Sequence, residues 1–401
     1  MRFKTVLGVG AVLALAIGAQ HDVASAQSVP QTTASSTQQV RNSAQAFHRS
    51  GVLAAMVIST DGHPPPPEPA YDGTPPLLFH GNPPGSNCFF SPCFDGDVLM
   101  TKSTGPLVVV PIFWNPNPHR FPMTSSYRNI ITSYLADVAI ASGQTQNVFA
   151  VADEYSGNNG KIHYNVKLGP VFNDTDPLPA DGCTLDPSDT TGIYADGSGY
   201  SACLDDTQLQ AEIDKVTATH SLPHDLKHIY VLYLPKGVES CFLPGETTSI
   251  GPGQFCTINH QPTAAYCAYH STDLASAVYA NMAYPIYASP VGFTCGSDAR
   301  FPVLESPNGN PDADTEISPT SHEIIEAITD PDTETGWYDS SGFENGDECA
   351  YIYGSTRGAP GAYYNQVING GHFLTQMEFS NNVFTASGGK AGCLQRASED
   401  D

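Results

Sequence analysis

The run Pro106-Leu107-Val108-Val109-Val110-Pro111-Ile112-Phe113-Trp114 constrains the fold more than any other stretch of the chain. It is apolar at every position, so a strand here has no face to offer water. Such a strand belongs inside a sheet that is covered on both sides. Covering helices are available. Residues 124–142 place Tyr127, Ile130, Ile131, Tyr134, Leu135, Val138 and Ala139 at helical spacing, and residues 206–219 do the same with Leu209, Ile213 and Val216. Further strands are expected at Val148–Val151, Lys161–Val166, His228–Leu234, Ala265–His270 and Val278–Tyr284. Shorter ones are expected near Tyr351, Tyr363–Ile368 and His372–Phe379, in a loop-rich tail. The order predicts an α+β fold, with helices packed on a mixed sheet.

The chain opens with Arg2 and Lys4, an apolar core from Val6 to Ala19, and the cleavage-type sequence Ala24-Ser25-Ala26. Residues 1–26 therefore read as a signal peptide, and the mature protein is expected to be secreted and extracellular. No later segment is long and apolar enough to suggest a membrane span. Ten cysteines follow the signal, an even number that favours disulfides. Local spacing suggests Cys88–Cys93, Cys183–Cys203 and Cys349–Cys393, and the lack of a tight Cys-x-x-Cys pair speaks against a thiolate metal site. Residues 27–85 are rich in Gln, Ser, Thr and Pro, including the polyproline run His63–Pro69, and read as a linker or pro-segment with one weak helix over 43–58. Residues 86–401 read as a single compact domain, divisible into 86–315 and 316–401 around a cleft. The net charge of −25 argues against nucleic acid and anionic membranes as partners.

The chemistry concentrates in residues 318–349. Ser318 reads as an N-cap, Pro319 as the first helical residue, and Asp330-Pro331 as the stop. His322 and Glu326 are four apart and share a helix face, where an imidazole nitrogen and a carboxylate oxygen can grip one metal ion. Glu323 beside them suits a general base, taking a proton from water whose pKa the ion lowers. This is the logic of the zinc-protease helix H-E-x-x-H, with Glu326 in place of the second histidine. A catalytic zinc takes three protein ligands and keeps one position open. The third is expected from Asp347 or Glu344, in a turn where Gly342 and Gly346 permit a sharp return and Cys349 pins the end. The carboxylate that does not bind the ion would orient His322 through its second ring nitrogen. So oxygen-rich a set also suits Mn2+ or Ca2+.

For an oxyanion donor, Tyr338, His372 and Arg357 qualify by type, and Tyr338 is the one assigned. The remaining histidines carry less. His220, His224 and His228 recur at four-residue spacing, but Pro223 breaks any helix through them. His270 reads as packing or capping. There is no Gly-x-Ser-x-Gly elbow and no phosphate loop.

Ser321-His322-Glu323-x-x-Glu326-Ala327-x-Thr329-Asp330-Pro331, then Trp337-Tyr338-Asp339, then Gly342-x-Glu344-x-Gly346-Asp347-x-Cys349 resembles a pattern in secreted, mostly bacterial proteins of unassigned function. These are distantly similar to the plant phosphate-induced, or exordium-like, cell-wall proteins. The resemblance runs from about Val98 to Cys393. It implies an extracellular role and a zincin-like helix bearing His322, Glu323 and Glu326. The leading expectation is a zinc endopeptidase acting on protein or peptide. The alternative is a non-catalytic exordium-like binding or signalling protein, associated with the cell wall, with a structural ion or none.

Overall fold

The computed structural model describes residues 52–54, 56–57, 76–81 and 96–397, apart from 186–189, 191–193, 195, 243–245, 249–250, 254–255, 258–265, 274–276, 287–292, 302, 334 and 341. The signal peptide, most of residues 27–85 and the Cys88–Cys93 pair lie outside the described residues. Everything described belongs to one compact unit, Ser35–Asp401.

The main sheet has seven strands: β1 (Val52–Ala54), β2 (Leu107–Trp114), β3 (Val166–Leu168), β4 (Phe172–Asp174), β5 (His228–Tyr233), β6 (Tyr266–Thr272) and β7 (Val278–Met282). Their order is β1-β6-β7-β5-β2-β3, and β4 also pairs with β2. β5 runs parallel to β2 and β7, and β3 and β4 run parallel to successive halves of β2. β6 is antiparallel to both β7 and β1, so the sheet is mixed.

Among the described residues four α-helices accompany it: α1 (Ser125–Ile140), α2 (Asp206–His220), α3 (Pro311–Thr329) and α4 (Asn381–Ala386). Each long helix starts at a side-chain cap. Thr124 accepts from the Tyr127 amide, Asp205 and Gln208 form a capping box, and Asn310 accepts from the Ala313 amide. β2 is buried on both faces, as its composition requires. Val109 and Phe113 join one core with Tyr127 and Ile131 of α1 and Ile317, Ile324 and Ile328 of α3. Val110, Ile112 and Trp114 join the opposite core with Leu209, Ile213 and Val216 of α2. The sheet is thus sandwiched between α1 with α3 on one side and α2 on the other.

Several local expectations need correction. α3 begins at Pro311, not at Pro319. Asn310-Pro311 supplies the same cap-and-proline start earlier in the chain, and Pro319 is carried inside the helix, where it can offer no amide to Thr315. Ala313 and Ile317 are buried in the core, which holds the additional turns in place. Ser318 caps nothing; its hydroxyl accepts from the Gln376 amide. Val148–Glu154 is a 3-10 helix rather than a strand, because the Asn147 side chain caps it at the Phe149 amide. Lys161–Val166 is not one strand: Gly160–Lys161 closes a small hairpin and β3 begins only at Val166. Within the expected helix 43–58, Val52–Ala54 and Met56–Val57 are strands, paired with β6 and with Phe293–Thr294.

Cys183–Cys203 and Cys349–Cys393 are disulfides as expected, joined by Cys241–Cys256 and Cys267–Cys295. Four disulfides fit an extracellular protein. Among the described residues no helix is long and apolar enough to cross a membrane. The tail forms short antiparallel pairs, Gln366–Ile368 with Gly371–Phe373 and Glu378–Phe379 with Cys393–Leu394.

Ile328 is fully buried where α3 meets the sheet. Ile328→Ala is expected to lower unfolding free energy by about 2–5 kcal/mol, read from the urea midpoint at unchanged slope.

Candidate metal centre

α3 packs against β6 and β7, and it is buried all round, with apolar and polar residues on different sides. Ile317, Ile324, Ile325 and Ile328 go to the hydrophobic core. His322, Glu323 and Glu326 go to a polar cluster instead, and all three are fully buried. Two other segments meet them there. β6 contributes His270, and the turn around the 3-10 helix Asp347–Cys349 contributes Glu344 and Asp347.

The distances define the cluster. His322 Nε2 lies 3.0 Å from Glu326 Oε1, 3.7 Å from Asp347 Oδ1 and 4.0 Å from Glu323 Oε1. Glu326 Oε1 also accepts from the Asp347 amide at 2.9 Å, which ties the turn to the helix. His270 Nδ1 lies 3.2 Å from Glu323 Oε2 and 3.6 Å from Glu326 Oε2. His270 Nε2 is 3.1 Å from the Asp330 carbonyl oxygen and 3.7 Å from Glu344 Oε1. The structure therefore brings together His322, Glu323, Glu326, Asp347 and Glu344, the residues that the sequence singled out. Ligand atoms of His322, Glu323 and Glu326 lie within 4.8 Å of one another, as do those of His270, Glu326 and Glu344.

Hydrogen bonds fix where the ring protons sit. A carbonyl oxygen only accepts, so His270 carries its hydrogen on Nε2, donates it to Asp330, and turns the Nδ1 lone pair toward Glu323 and Glu326. Gln376 Nε2 lies 2.7 Å from both His322 Nδ1 and the Gly346 carbonyl oxygen. An amide nitrogen between two acceptors donates to both, which leaves the His322 hydrogen on Nε2, inside the cluster. That tautomer has no lone pair at Nε2, so an ion bound there would require the hydrogen on Nδ1 and the Gln376 amide turned to accept it. Gln376 thus occupies the ring-orienting position expected of Glu344 or Asp347.

Burial dominates the electrostatics. It lowers His322 to about 4 and His270 to about 3, so both rings are neutral. It raises Glu326, Glu344 and Asp347 above the ordinary carboxylate range, and for Glu344 and Asp347 the neighbouring carboxylates raise them further. Glu378 joins the group from the tail, raised by burial and by Glu326 and Asp347. His322 Nε2, Glu326 Oε2 and both oxygens of Glu344 and of Glu378 have no hydrogen-bond partner. Buried acids without donors, facing neutral imidazoles, fit a divalent cation. The mixed nitrogen and oxygen donors suit Zn2+ or Mn2+ better than Ca2+, which prefers a shell of oxygens alone.

Gly346 has another role than a sharp backbone. Its φ of −70° is ordinary, whereas a Cβ there would stand 2.5 Å from His322 Nδ1. The His322 ring packs flat against this bare position. Gly342 does adopt the left-handed region, at φ +87°.

Tyr338 is half-buried in the strand Trp337–Tyr338, paired with Leu78–Phe79, and its ring stacks on His80 with centroids 3.5 Å apart. His372 stacks on Tyr364, and both His372 and Arg357 are exposed in the tail. The three histidines of the 220–228 stretch form no common site: His220 lies tilted on Phe172, while His224 and His228 flank Tyr230 and His228 pairs with Asp225 at 2.7 Å. His270 and Gln376 are the site residues that sequence reasoning missed. Comparison with known proteins finds no matching family profile, no similar curated protein and no similar solved structure.

Two outcomes are expected. Gly346→Ala displaces the His322 ring, weakening Zn2+ or Mn2+ binding in titration calorimetry and costing about 1–3 kcal/mol of stability by overpacking, read from the urea midpoint. The second concerns pH. Carboxylates raised in the folded state stabilise it fully below their unfolded pKa, and that contribution is lost as pH rises through the raised values. The neutral histidines add no further change above about pH 6.5. Chelator-treated protein should therefore melt lower as pH rises above that point, and added Zn2+ should restore the melting temperature most at the alkaline end.

Proposed function

We propose that this chain is a secreted, metal-dependent hydrolase with a zincin-like helix, most simply a zinc endopeptidase acting on protein or peptide outside the cell. The observation that supports it is the convergence of His322 Nε2, Glu326 Oε1 and Asp347 Oδ1 around buried atoms that lack partners, with Glu323 beside them. These three residues would hold the ion, and Asp347, with 11 % of its side chain exposed, marks the side nearest solvent. A bound zinc supplies a Lewis acid that polarises a carbonyl and acidifies water. Glu323 serves as the base. Its Oε2 is held beside His270 at 3.2 Å, while Oε1 faces His322 at 4.0 Å. Gln376 and Gly346 hold the His322 ring in position from behind. Tyr338 is the proposed donor to the oxyanion.

A second reading has its own support. His322, Glu323 and Glu326 are wholly buried, which suits an ion that braces α3 against the Asp347 turn in a non-catalytic, exordium-like protein. Purified mature protein separates the two. The hydrolase should contain zinc, cleave casein, and stop when chelated. Glu323→Gln should lower kcat by about a hundredfold or more while keeping the metal content. Bound metal with no cleavage in the wild type defeats the hydrolase and leaves the structural ion. A metal-free, fully stable protein defeats both.

A further inference from the structure

Glu344 is not needed by an ion at His322, Glu326 and Asp347, yet it is buried in the cluster with no donor to its carboxylate. It is 3 % exposed, and neither carboxylate oxygen has a hydrogen-bond partner. His270 Nε2, the ring nitrogen that carries the hydrogen, lies 3.7 Å from Oε1.

Glu326 adds a second observation. Its carboxylate faces two ways: Oε1 meets His322 Nε2 and the Asp347 amide, while Oε2 has no hydrogen-bond partner and lies 3.6 Å from His270 Nδ1. His270 adds a third. Its hydrogen is committed to the Asp330 carbonyl, so Nδ1 presents a lone pair to carboxylate oxygens. A lone pair facing carboxylate oxygens at such distances needs a proton or a cation between them. Ligand atoms of His270, Glu326 and Glu344 all lie within 4.8 Å of one another.

We propose that His270, Glu326 and Glu344 form a second divalent-cation site, with Glu326 bridging it to the ion at His322 and Asp347. The inference rests on the metal-dependent reading above and extends it from a single ion to a pair. Charge balance favours it. Glu323, Glu326, Glu344 and Asp347 face the two histidines. When ionised, and with Glu378 beside them, they carry more negative charge than one divalent ion neutralises. The donor set, one imidazole with carboxylates, selects borderline ions such as Zn2+ or Mn2+. Two ions held by a shared carboxylate are a recurrent arrangement for hydrolysis, with one ion on the nucleophile and the other on the leaving oxygen.

The test uses full-length mature protein, stripped with chelator and reloaded separately with Zn2+ and with Mn2+. Elemental analysis should give two ions per chain, and the Mn2+ form should show an exchange-coupled paramagnetic resonance signal from the carboxylate bridge. Glu344→Gln should bind one ion and show only the isolated six-line Mn2+ signal. Where that variant does not fold, His270→Asn should give the same result. One ion per chain in the wild type, or a six-line signal alone at saturation, overturns the second site while leaving the single-ion hydrolase standing. No bound ion overturns both.

Discussion

Carboxylates in a dry interior set the terms for everything around α3. Desolvating an acid is costly unless donors or positive charge compensate it. Interleaved along this buried helix, the isoleucines go to the hydrophobic core and His322, Glu323 and Glu326 go toward one another. Mutual repulsion would push such a cluster apart. It is held by backbone contacts, with the Asp347 amide on Glu326 and the Asp330 carbonyl on His270, and by the packing of α3 on β6 and β7. The scaffold thus keeps like charges together, the condition under which a cation is bound strongly.

The sheet explains how the cluster draws on distant parts of the chain. β2 is covered on both faces because it is apolar throughout, and that burial aligns β5 and β7 beside it. β6 then adds antiparallel to β7 and brings His270 under α3. His270 and His322 are far apart in sequence but occupy one site because strand order and helix packing put them there.

Much of this was legible beforehand and some of it could not be. The apolar run at 106–114 requires two covered faces, and the spacing of His322, Glu323 and Glu326 places three polar groups together on any helix. Glu344 and Asp347 were legible because the turn carrying them is short and rich in glycine. His270 was not, because a lone histidine on a strand has no spacing partner, and its role depends on a register that only pairing defines. Gln376 escaped notice for the same reason. The helix start was misread because Ser318-Pro319 is a valid cap sequence locally. Burial of Ala313 and Ile317 outweighs it.

The cystines have a bearing on the order of assembly. Cys267 lies three residues before His270, and Cys349 two residues after Asp347. Cys267–Cys295 and Cys349–Cys393 therefore anchor both strands of chain that approach α3 from outside. Closing those loops covalently removes much of the conformational freedom that ion binding would otherwise have to restrain. A chain still in its reduced form would present scattered donors, so any metal would load after the disulfides close.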